Sequence, residues 1–144
     1  MGRIIPLDTA GKNRTRLVRS VVMALRELAS QNQTDHQTYD LAAYIALALA
    51  EIHQTIDASV IAWEKRGYWV KADRFRMDWA WSEQLGGLMK KAVLADDWAS
   101  VARLAAQIAE KLNSTKVSQR NRLGKPWIGA WERLKEIPDT SMPA

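Results

Sequence analysis

Histidine carries most acid–base and metal chemistry near neutral pH, and this sequence holds only His36 and His53. His53 and Asp57 stand four residues apart, where a carboxylate can orient an imidazole or both can ligate one metal. No Glu-x-x-His pair accompanies them, so the spacing reads as a surface hydrogen-bonded pair. Neither a metal site nor a cofactor is expected. Asp35 and His36 precede the most apolar stretch and read as capping or loop residues. Nucleophile motifs are missing as well: the chain has no cysteine, no Gly-x-Ser-x-Gly turn and no phosphate loop. Gly86-Gly87 lacks both a following Lys-Ser/Thr and a preceding strand. The carboxylates of Asp96 and Asp97, if helical, would diverge by about 100°. These absences predict a protein that is not an enzyme.

The cations are more telling, and they fall in three segments. Lys12, Arg16, Arg19 and Arg26 step by 4, 3 and 7, one helix face if the first helix reaches back that far, with Arg14 added to the cluster. Positive charge in a first helical turn opposes the helix dipole, a cost of some tenths of a kcal/mol that a bound anion would relieve. The alternative is that this face lies against the second helix, because residues 27–64 hold six carboxylates and no Lys or Arg.

Residues 63–81 interleave Trp63, Tyr68, Trp69, Phe75, Trp79 and Trp81 with Lys65, Arg66, Lys71, Arg74 and Arg76. Rings that stack on bases beside cations that meet phosphates are what a single-stranded nucleic-acid groove requires. Phe75 and Trp79 lie on a core stripe, which leaves Tyr68 and Trp69 as the exposed stacking candidates. The third segment, residues 111–125, holds Lys111, Lys116, Arg120, Arg122 and Lys125 without an acid. It reads as a phosphate-contacting loop or as a plain solvated linker.

Helices must position these groups, because apolar residues recur at three and four throughout and nothing alternates over strand length. The first is expected over residues 15–29 with Leu17, Val21, Leu25 and Leu28 inward. The second, residues 39–66, has Leu41, Ile45, Leu49, Ile52, Ile56, Val60 and Trp63 at steps of 4, 4, 3, 4, 4 and 3, with Gly67 as its stop. The third starts near Trp69 and shows two apolar stripes, one through Ala72, Phe75, Trp79, Gly86, Met89 and Val93, the other through Met77, Trp81, Leu85, Leu88 and Ala92. It is therefore expected to pack on two sides. Gly86 and Gly87 inside it need a reason such as close helix approach or a kink. A fourth helix opens at Asp96 or Asp97 and buries Trp98, Val101, Ala105, Ile108 and Leu112. A short one between Pro126 and Pro138 carries Trp127, Trp131 and Leu134.

The expected fold is an all-α antiparallel bundle of about four main helices, with a long hairpin of the second and third and a short C-terminal helix. Residues 1–112 form the bundle, and 113–144 a basic linker and helix packing on the same domain. The chain's 144 residues, 47% of them hydrophobic, suffice for one core. Its longest apolar run, residues 41–50, is about half a bilayer span and reads as a buried helix, so no membrane partner is expected. The lack of cysteine and of a secretory signal pattern suits the cytoplasm. With a net charge of +5, the expected function is a non-enzymatic helical module contacting phosphates of RNA or single-stranded DNA within a larger assembly. The alternative is a scaffold that binds a protein partner or itself.

Overall fold

A computed structural model describes residues 7–118 and 122–137. They form five helices: α1 (Leu7–Ala29), α2 (His36–Lys65), α3 (Trp69–Leu94), α4 (Trp98–Lys111) and α5 (Ala130–Glu136), with no strand among the described residues. The fold is all-α, with α2 at its centre. α2 packs most extensively against α3, then α1, then α5, while α4 lies against α3 and touches α1. Leu41, Ile45, Leu49 and Ile52 of α2 are fully buried, as their spacing predicts. By length and composition alone α2 is also apolar enough to cross a bilayer, and half of its most apolar stretch is buried inside this structure.

Local chemistry sets the helix ends. Asp35 closes a capping box on α2: its carboxylate accepts from the Thr38 N–H at 3.1 Å, and the Thr38 hydroxyl accepts from the Asp35 N–H at 3.2 Å. At the other end Gly67 takes φ +80°, and the Gly67 and Tyr68 N–H groups return to the Glu64 and Trp63 carbonyls. The α3–α4 turn repeats that pattern with Asp96 in the left-handed position, at φ 58°. An aspartate there is strained, and two donors fix it: the Tyr39 hydroxyl and the Trp98 indole N–H both reach Asp96 Oδ1. These bonds hold the Asp96 carboxyl below its usual range and raise the Tyr39 phenol. Asp97 is the residue that caps α4, accepting from the Ser100 N–H.

Two expectations change. α1 begins at Leu7 rather than near residue 15, because Ala10 and Arg14 extend the inward row of Leu17, Val21 and Leu25 by two further turns. The second stripe of α3 is covered only in part: Ala92 is buried and Trp81 and Leu85 pack half-buried against the core, while Met77 is 75% exposed and Leu88 50%. α4 has 14 residues, about 21 Å of helix, against 26 in α3, and its last turn lies beside Trp81 and Leu85, so Met77 stands beyond its end. Of the paired glycines, Gly86 marks close approach, since a Cβ there would stand 3.0 Å from the Leu49 Cβ, while a Cβ at Gly87 would meet nothing.

Candidate nucleic-acid interface on the outward face of α1

α1 runs antiparallel to α2 and presents one side to it. Leu17, Val18, Val21, Ala24 and Leu25 are buried on that side, whereas Lys12, Arg16, Arg19 and Arg26 are exposed on the other. The cations are thus on the outward face. No ion pair among the described residues joins α1 to α2. The acids of α2 are engaged elsewhere. Asp40 accepts from the Gly129 and Trp131 N–H groups at 3.1 and 2.9 Å, Asp57 meets His53, and Glu64 meets Arg76. Arg16 alone approaches one, lining a hollow of about 410 Å³ with Asn13, Glu51 and Gln54.

Arg14 does not join that row. Its guanidinium turns inward and donates to Thr55 Oγ1 at 3.2 Å, to the Thr55 carbonyl at 3.1 Å and to Ser59 Oγ at 2.6 Å. It also sits 4.7 Å from the Phe75 ring centre. Partial burial lowers its pKa from the usual arginine value. The helical phase explains this: two residues beyond Lys12 is about 200° around the helix, in register with Leu17 and Val21. Arg14 is a bridge among α1, α2 and α3.

The aromatic–cation segment around the α2–α3 turn is in part satisfied internally. Trp63 and Phe75 pack edge to face at 4.8 Å, Phe75 leads to Trp79 and Trp79 stacks on Trp81. The Lys71 ammonium lies 4.5 Å over the Trp63 ring, and Arg76 bridges Asp73 and Glu64. Tyr68 and Trp69 remain exposed at the turn with Arg66, and Arg74 is exposed one helical turn further along α3.

The third segment starts at Lys111, beside Trp81 and Leu85 of α3, and passes to the opposite end. Arg26 donates to the Val117 carbonyl at 2.9 Å, which ties the stretch carrying Lys116 to the last turn of α1. Arg122 and Lys125 are exposed before Trp127 descends into the core, and Arg120 lies outside the described residues. The three basic segments therefore do not converge on one patch. Lys116 and the α2–α3 turn lie at opposite ends of the bundle with the outward row of α1 between them, while Lys111 lines a hollow with Trp81 partway along α3.

No protein family's model matches this sequence, and no curated protein or solved structure matches it either. The site must be read from its own geometry. His53 meets Asp57 at 3.4 Å and, from α3, Glu83 at 3.3 Å; no group of three or more metal-ligating residues is present among the described residues. Sequence reasoning missed two features. One is Asp40, whose buried carboxylate docks the C-terminal helix; the other is the uncovered outer side of α3. The first carried no local signal, because its partners lie 89 and 91 residues away. The second had a signal, an apolar stripe, that says nothing of what covers it.

Proposed function

We propose that this protein is a non-enzymatic helical module that holds the phosphate backbone of RNA or single-stranded DNA along the outward face of α1. The observation that carries the reading is the exposed row of Lys12, Arg16, Arg19 and Arg26 on the outward face of α1, with Arg16 at its edge beside Glu51 and Arg26 held by the Val117 carbonyl, continued at its end by Lys116. From Lys12 to Arg26 the row is about 21 Å long, at 1.5 Å per residue. Cations in such a row neutralise successive phosphates and release their counterions without reading bases. Exposed Tyr68 and Trp69 sit beyond the α1 row, near the end where α1 begins, and supply rings for a strand that continues past it.

The test is binding of mixed-sequence single-stranded oligonucleotides over a range of salt concentrations. Replacing Lys12, Arg16 and Arg19 by glutamine should weaken binding and flatten the dependence of log affinity on log salt by about 0.7 for each phosphate no longer neutralised. Sequence preference should not change. An intact protein that binds no oligonucleotide at low salt, or a variant with an unchanged slope, overturns the reading.

A further inference from the structure

Two rings stand apart from the other aromatic side chains. Every other tryptophan packs against a second ring or, like Trp127, lies in the core. Tyr68 is 52% exposed and Trp69 61%, and among the described residues neither side chain has a ring contact or a hydrogen bond. They sit in the turn that Gly67 makes at φ +80°, where the two rings, Val70 and Lys71 line a hollow of about 530 Å³. A second hollow, of about 350 Å³, continues from Val70 and Lys71 to Arg74 and Trp63.

The charge around these rings is positive. Residues 64–76 hold five cations and two acids, and both acids, Glu64 and Asp73, are engaged by Arg76. Lys65, Arg66, Lys71 and Arg74 are exposed and in no ion pair among the described residues. Asp78 borders the second hollow from further along α3. Exposed rings with cations between them fit a partner that offers flat aromatic groups and negative charge together.

We propose that this turn binds unpaired bases, so that the protein prefers a single strand to a duplex. The inference rests on the phosphate-binding reading of α1 and places the choice of strand in a different part of the molecule. Cations meet a backbone whether or not its bases are paired. Rings stack only on bases that are free to leave their own stack, and they do so with little regard to sequence. Position lets one strand use both. Arg14 of α1 lies 4.7 Å from the centre of the Phe75 ring of α3, which sets the two helices in register. Trp69 precedes Phe75 by six residues, about 9 Å of helix, and Lys12 precedes Arg14 by two, about 3 Å, so the ring stands about 6 Å beyond the first cation of the row along the bundle axis. Lys71 and Arg74 are placed to meet the phosphates beside a stacked base.

The affinities of the full chain for a mixed-sequence single strand, for the duplex of the same sequence and for an abasic strand, which keeps the phosphates without the bases, test it at one salt concentration. The single strand should bind most tightly. Trp69→Ala should lower its affinity by about tenfold, toward that of the abasic strand. The same change should leave the duplex affinity, the salt slope and the helical spectrum as they are, and Trp69→Phe should retain the preference. Equal binding of the three forms, or a Trp69→Ala variant that holds the single strand as tightly as the intact chain does, overturns this proposal and leaves the α1 reading standing. An intact chain that binds none of them at low salt overturns both. Binding to vesicles of anionic phospholipid that Trp69→Ala abolishes, with single-strand affinity unchanged, makes the turn a membrane contact and contradicts the proposal.

Discussion

α1 and α3 flank the same central helix, yet their outward faces are opposites. α1 shows Lys12, Arg16, Arg19 and Arg26, whereas α3 shows Val70, Met77 and Leu88 among polar neighbours. Their inward sides are alike: each presents small and apolar residues to α2, with Leu17, Val21 and Ala24 on one and Ala72, Gly86 and Met89 on the other. The difference shows that the interior of this protein sets stability while its two outer faces are free to differ in chemistry. A cationic face suits a polyanion.

The helix that both faces share is where a single change should do most damage. Ile52 is fully buried at the centre of α2, and Ile52→Ala should cost about 2–5 kcal/mol. Chemical denaturation measures this, and a loss under about 1 kcal/mol would show that α2 is not the common support.

The next largest effect separates inward from outward cations on α1. Arg14→Ala removes three hydrogen bonds to Thr55 and Ser59 and the packing on Phe75. It should destabilise the fold by about 1–3 kcal/mol, and the salt slope of any oligonucleotide binding should stay the same. Arg19→Ala should do the reverse, leaving the midpoint of denaturation in place. Equal destabilisation at both positions would contradict the assignment of faces.

The smallest effect makes the same division on α3. Gly87→Ala should stabilise the helix by up to about 1 kcal/mol, since alanine is the better helix former and a Cβ there meets nothing. Gly86→Ala should show no such gain, because the Leu49 Cβ stands 3.0 Å from the new methyl group. Thermal melts of the two variants decide it, and a Gly86→Ala variant that melts as high as Gly87→Ala would mean that α2 and α3 are not in close contact there.

These contrasts also show what the chain discloses about itself. The steps of Leu41, Ile45, Leu49 and Ile52 made α2 legible, because periodicity directly encodes which side of a helix is buried. Arg14 was grouped with the outward cations, although its phase matches Leu17 and Val21. An arginine's ability to reach buried hydroxyls through a long stem hides it among charged neighbours of the opposite face. The Asp40 link to Gly129 and Trp131 was not legible, because it depends on how distant segments meet. The second stripe of α3 was read as packed throughout, since hydropathy reports a preference for burial and cannot report that α4 ends before it reaches Met77. Of the site itself, the sequence disclosed the row on α1. It did not disclose that Lys116 is tied to the last turn of α1 while Tyr68 and Trp69 sit at the far end, at the α2–α3 turn.

The most direct test of the cationic α1 face is a residue-resolved NMR titration of the protein with a single-stranded oligonucleotide at low salt. The side-chain and backbone shifts should move at Lys12, Arg16, Arg19 and Arg26 and extend to Lys116, while Met77 and Leu88 stay in place. Shifts confined to Tyr68, Trp69 and the outer side of α3, or no shifts at all, would contradict it.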